Sequence, residues 1–213
     1  MSTNYPRLVQ PALRLFAVCG GLALPLSAVF AASDSAVASG DKMHWEVGLT
    51  YASGVNKVMD QLERNFGVTK KSVWPVGLKL GGYDEFSNGW GFGASVGPCM
   101  VIEVENGYGS SDNNFNYIIP VTFDARYSFP IDGKAKGYVR FGVTEPFASG
   151  DYFNSSTPGP VVAIGAEVWH GSSVSVGIEA GYDGSKVEVK GSYYAPSAKV
   201  TPIGFNASVF VRF

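Results

Sequence analysis

Charge is scarce in this sequence. Lys, Arg, Asp and Glu make up 16% of its 213 residues, and the formal net charge is -2. With no basic field to neutralise a phosphate backbone, nucleic acid is not expected as a partner. Cysteine is nearly missing: there are 2, Cys19 and Cys99. A disulfide framework is therefore excluded as the source of stability. Histidine is equally sparse, with 2 in all, His44 and His170. Neither has a Cys or an acidic residue at ligand spacing beside it, so no metal and no cofactor is expected. Disorder is excluded as well, because the hydrophobic fraction is 46%.

What the chain has in quantity is glycine, 27 residues, and aromatics, 14%. That combination with few charges suits an all-β chain with tight turns. The first 31 residues read as a signal peptide. Arg7 and Arg14 form a positive n-region, LFAVCGGLALPLSAVF is the apolar stretch, and small residues around Val29-Phe30-Ala31 place cleavage near Ala31. A transmembrane helix is the competing reading, but Gly20, Gly21 and Pro25 break the stretch and no charged flank follows. Lipoprotein processing at Cys19 fits poorly with Phe16-Ala17-Val18 before it. Residues 32–42 are then a short periplasmic lead, and 43–213 form one domain.

That domain alternates. Apolar and polar residues exchange with period two in 43–52, 74–82, 90–100, 116–129, 137–144, 160–169, 174–183 and 201–213, the mark of strands with two unlike faces. In 43–52, Trp45, Val47, Leu49 and Tyr51 oppose His44, Glu46, Gly48 and Thr50. In 90–100, Trp90, Phe92, Ala94, Val96 and Met100 are expected to face outward. In 116–129, Tyr117, Ile119, Val121 and Phe123 share the outward parity. Short connections (SNG, PIDGKAK, GSS) alternate with long ones at 53–73, 101–115, 145–159 and 184–200. Short turns at one end and long loops at the other are the pattern of an outer-membrane barrel.

A soluble sandwich or lipocalin-like barrel would show the same alternation with the faces exchanged. Two features favour the membrane. Trp74, Tyr117 and Tyr182 collect at the loop end of the apolar face; Trp45, Trp90, Tyr127, Phe129 and Phe213 collect at the turn end. Such girdles belong at lipid interfaces, which makes outer-membrane lipid a partner. The opposite face carries glycines and charges. The fold class is therefore all-β: an eight-stranded antiparallel up-and-down transmembrane β-barrel after a cleavable signal peptide.

On these residues the chain resembles the small eight-stranded outer-membrane barrels of the OmpA and OmpX type, over residues 43 to 213. The resemblance implies that the terminal Phe213, with Val211, Val209 and Phe205 alternating before it and Ala207 among them, is the signal read by the barrel-assembly machinery during biogenesis. It also implies a Gram-negative-type outer membrane. The chain ends at Phe213, so the peptidoglycan-binding domain of that family is not expected.

By parity the inward charges are Glu46, Lys79, Asp124, Arg126, Arg140, Glu167, Glu179 and Arg212. Their signs balance. An eight-stranded interior is just wide enough for side chains, and unpaired charges there are costly. A salt-bridged core is the first reading, a narrow conduit for small or hydrophobic solutes the second, and a catalytic site the third. Lipid-modifying barrel enzymes need His, Ser and an acid brought together. Ser172 and Ser173 beside His170 read more simply as a turn, so an enzyme is not expected.

Cys99 reads as a small inward packing residue. In VNKVMDQLERNF, Val55, Met59, Leu62 and Phe66 recur at helical spacing, giving a short helix that lies over the mouth or packs on its neighbours. The loop 101–115 looks polar and flexible. The third loop mixes Phe147, Tyr152 and Phe153 with polar residues, for binding or for loop order. Its Asn154-Ser155-Ser156 sequon carries little weight in a bacterium. The leading function is envelope integrity or surface interaction through the loops.

If Phe213 serves assembly, Phe213→Ser lowers the folded yield in cells far more than the stability of protein refolded in detergent. Equal losses in both assays would reduce Phe213 to ordinary packing.

Overall fold

The structure, a computed structural model, describes residues 42–68, 70–105, 114–132, 135–170, 174–193 and 195–213. The signal peptide and nearly all of the lead lie outside the described residues, as do Ser172 and Ser173. In chain order the elements are β1 (Lys42–Ala52), α1 (Val55–Phe66), β2 (Lys70–Val73), β3 (Val76–Glu85), β4 (Trp90–Val96), β5 (Met100–Glu105) and β6 (Asn114–Pro130). They continue with β7 (Lys136–Ser149), β8 (Phe153–Thr157), β9 (Gly159–His170), β10 (Ser175–Asp183), β11 (Lys186–Val189), β12 (Ala198–Val200) and β13 (Gly204–Arg212).

Antiparallel pairing runs β1-β3-β4-β6-β7-β9-β10-β13 and returns to β1, closing an eight-stranded barrel. Closure places Glu46 opposite Arg212 and Leu49 opposite Val209. The last residue completes the seam: Trp45 and Phe213 exchange both backbone hydrogen bonds, at 3.1 and 2.9 Å. At the turn end Gly89, with φ +84°, allows the tight β3–β4 reversal, and Asn88 Oδ1 accepts the Trp90 N–H at 3.0 Å.

Exposure decides between the two parities. Leu49 (59%), Phe123 (66%), Ile164 (61%) and Phe205 (72%) stand on the outside, whereas Glu46, Lys79, Arg126, Glu167 and Arg212 are buried. An apolar outside around a charged inside is the arrangement of a barrel whose solvent is a bilayer. The girdle residues Trp45, Trp74, Trp90, Tyr117, Tyr127 and Tyr182 are all exposed with it.

The alternating segment at 90–100 is not one strand. Its pairing with β3 stops at Leu80↔Val96, and pairing with β6 resumes at Met100↔Ile118 as β5. Gly97 turns at φ +109° and Pro98 has no N–H to give a ladder, so the strand breaks there. Met100 consequently lies buried rather than facing outward, and Val96, Ala94 and Ile119 are buried too despite their outward parity.

The long connections are not bare loops. β5 and β2 extend the wall beside β6, and β8, β11 and β12 form a second sheet. Helix α1 lays Val55, Val58, Met59 and Leu62 against Met100, Ile102, Val104, Ile118, Val187 and Val189. Tyr152 and Phe153 join this core, whereas Phe147 stays outside. The Asn65 side chain ties α1 to the carbonyls of Lys190 (2.7 Å) and Pro196 (3.2 Å). The helix ends at Gly67 in the left-handed region, a residue without Cβ where the chain must reverse. The loop end thus carries a cap with an apolar core of the kind found in water-soluble domains.

If the cap faces the cell surface, as the long-loop pattern predicts, a cysteine placed at Asn154 on β8 reacts with an impermeant maleimide on intact cells, and one at Asn88 does not. The reverse pattern would invert the topology.

Candidate functional site

Every second residue of a barrel strand points inward, and the small inward residues set what the rest can do. A Cβ on Gly165 would collide with the Tyr138 ring, one on Gly177 with Phe210, and one on Gly93 with Tyr83. These glycines make room for three inward aromatic rings near the turn end. On them lie two guanidinium groups. Arg126 sits 3.2 Å from the Tyr138 ring centroid and 4.7 Å from that of Tyr83. Arg212 sits 4.4 Å from Tyr83 and 5.2 Å from Phe210. Stacking on aromatic faces leaves the edges of each guanidinium free for carboxylates.

Those carboxylates are Glu46 and Glu167. Glu46 receives Arg212 at 3.2 Å and Arg126 at 3.8 Å, while Glu167 receives Arg126 at 3.4 Å and also pairs with Arg212. Lys79 links this layer to the next, at 3.4 Å from Glu46 and 3.2 Å from Glu179. Glu179 accepts from Arg140 through both oxygens, at 2.6 and 3.0 Å, and from the Tyr138 hydroxyl at 3.0 Å. Arg140 also donates to Asp124 at 2.9 Å. All eight sequence-assigned charges thus meet in one continuous ion-pair chain. Glu46 and Arg212 reach Arg140 and Asp124 through Lys79 and Glu179, not by direct contact.

Above the charges lies a hydroxyl layer: Thr50 with Ser208 at 2.7 Å, and Thr122 with Thr144 at 2.9 Å. Below them, at the turn end, Glu85 pairs with Lys136 and with His44 at 3.8 Å, and His44 stacks on Tyr83 at 5.3 Å. Two cavities of about 20 Å³ each flank the Lys79–Arg140–Glu179 layer, each of a size for about one water molecule. The aromatic platform is what parity reading missed. Tyr83, Tyr138 and Phe210 stood on the inward side, and the glycines on the neighbouring strands were its signal. His44 is placed as described, and the His170 side chain lies outside the described residues. Cys99 is buried at the β4–β5 break. Phe205, Val209 and Phe213 lie exposed along the outer face, with Val211 half-buried beside them.

No family model matches the chain, and no curated protein does. Solved structures similar to it include the outer membrane protein OprG from Pseudomonas aeruginosa, at 14% identity and a TM-score of 0.47, over 82% of this chain and 96% of that one. The attachment invasion locus protein Ail of Yersinia pestis, solved with the heparin analogue sucrose octasulfate, is similar at 15% identity and 0.46, over 83% and 100%. Neisserial surface protein A is similar at 18% identity and 0.41, over 82% and 98%. Likeness at this level concerns the fold alone.

Breaking one side of a buried pair leaves the other charge unpaired, at a cost of ~3–5 kcal/mol. Glu46→Gln and Arg212→Gln should each lower stability in detergent by an amount of that order. The double variant should lose less than the sum of the two. Strict additivity would show the pair to be uncoupled.

Proposed function

We propose that this outer-membrane barrel is a non-catalytic surface protein, working through its extracellular cap in envelope integrity or surface interaction, with its interior serving as a plug. The observation that carries this reading is the division of labour along the axis. The lumen is filled from the turn end to the mouth by aromatics, ion pairs and hydroxyls, and α1, β2, β5, β8, β11 and β12 build a cap with its own core. A plug of mutually neutralised charges fixes the barrel's shape and leaves little room for solute. A cap held rigid by buried Val, Ile and Leu presents a constant face to a partner, which lowers the ordering cost of binding. The polar groups Asn154, Lys186 and Lys199 are exposed on that face.

A narrow conduit for small solutes is the second reading. It is favoured by one observation: the two cavities share Lys79, Ser95, Arg140 and Glu179 as the wall between them. Planar-bilayer recording separates the two. The plug predicts no steady ionic conductance for the wild-type protein. Sustained, salt-dependent current steps that disappear on Thr122→Trp would replace the surface reading by the conduit.

A further inference from the structure

Proline is placed unusually in this barrel. Register can be followed strand by strand around the wall, allowing for the tilt that shifts equal heights by roughly one residue per strand. On that reckoning Pro75, Pro98, Pro120, Pro146, Pro160 and Pro202 fall close to one level, at the mouth. Ala52 N–H donates to Pro75 O at 2.7 Å, Gly97 N–H to Pro120 O at 2.8 Å, and Gly184 N–H to Pro160 O at 2.8 Å. Pro120 faces Pro146 directly across β6 and β7. Pro202 lies against Gly54, at the top of β1.

Proline gives no N–H to a ladder and is confined in sheets to edges, strand starts and bulges. At this level β3 begins, β4 gives way to β5, β8 to β9, β10 to β11, and β12 to β13. Only β6 and β7 run through. Below the level, the bilayer and the charge network hold the barrel. Above it, the cap is held by its own apolar core. Inside, at the same height, lies the upper cavity, lined by Thr50, Thr122, Asn206, Ser208, Pro98 and Asp183 among others, with Lys79, Arg140 and Glu179 at its floor.

We propose that the proline level is a hinge line, and that the cap is a lid swinging on the β6–β7 ribbon. Opening converts the water-sized cavity into a vestibule at the cell surface. Its hydroxyl and amide lining suits small hydrogen-bonding solutes rather than apolar ones, and the ion pairs form its floor. This goes beyond the surface-protein reading and stands whether or not the plug conducts.

Cys99 is a built-in reporter. It is 4% exposed, sits on the link between β4 and β5 at the hinge level, and is the only cysteine in residues 43–213. The full chain in liposomes is treated with an impermeant maleimide, and modification of Cys99 is followed by peptide mapping. The hinge predicts labelling faster than the unfolding of the whole barrel. It also predicts a rise on the order of tenfold or more in Leu62→Ala, which loosens the cap core from α1. Labelling of Leu62→Ala at the wild-type rate, or labelling only as fast as the barrel unfolds, would overturn it. Should Leu62→Ala not fold, hydrogen exchange on the unaltered protein decides. The hinge requires the hinge-level amides of Gly97 and Gly184 to exchange together, ahead of the cap strands β8 and β11 and of the spanning strands β1, β3 and β13. Exchange of Gly97 and Gly184 no faster than that of the strands on either side would sink the proposal.

Discussion

Closure is the constraint from which the rest follows. In a bilayer no water can satisfy an open sheet edge, so every backbone group of the spanning strands must find another strand. Once β1 meets β13, eight strands fix an interior that side chains can nearly fill. The outward face is then committed to lipid and the inward face to whatever is not apolar. Charge inside cannot escape to solvent, so it must be neutralised where it stands. Four cations, Lys79, Arg126, Arg140 and Arg212, answer four carboxylates, Glu46, Asp124, Glu167 and Glu179.

Neutrality alone would not order those groups. Long cations have many rotamers, and a barrel wall offers few anchor points. Here the order comes from size contrast between neighbouring strands: glycine on one and an aromatic ring on the next. Gly165 admits Tyr138, and Tyr138 then serves twice, with its ring under Arg126 and its hydroxyl on Glu179. Glu179 in turn gathers Lys79 and Arg140. The interior is thus a chain of dependent placements that starts from residues with no side chain at all.

This explains which parts of the structure were legible in the sequence. Alternation reports which face a residue takes, and for the spanning strands that was enough to assign Glu46, Glu167 or Arg212 to the inside. Alternation says nothing about height or depth of cover. Met100 keeps the period of Trp90 and Phe92, yet Gly97-Pro98 ends the strand between them and carries Met100 into the cap. Tyr152 and Phe153 look like loop aromatics because their partners, Phe66 on α1 and Val189 on β11, are distant in sequence. The short strands β8, β11 and β12 hold too few residues for a period to stand out. The helix was readable because Val55, Met59 and Leu62 repeat over its full length.

A single chain here satisfies two solvents, and the two demands conflict at the mouth. Spanning strands need an apolar outside and tolerate charge within. The cap needs the opposite, an apolar inside with polar residues such as Lys186 and Lys199 turned to water. A strand passing from one regime to the other keeps its inner face inside, and only the residue types on that face must change. β6 does this unbroken: Thr122 and Asp124 face the lumen, and Ile118 on the same parity enters the cap core. β10 and β11 do it across a break, since Asp183 is buried and Val187 and Val189 share its parity in the cap core. The Gly97-Pro98 break is different, because there the parity itself changes: Phe92 faces lipid, whereas Met100 and Ile102 on the same parity enter the cap core. The change of solvent is therefore carried by residue type along one inner face, and the proline breaks are additional to it.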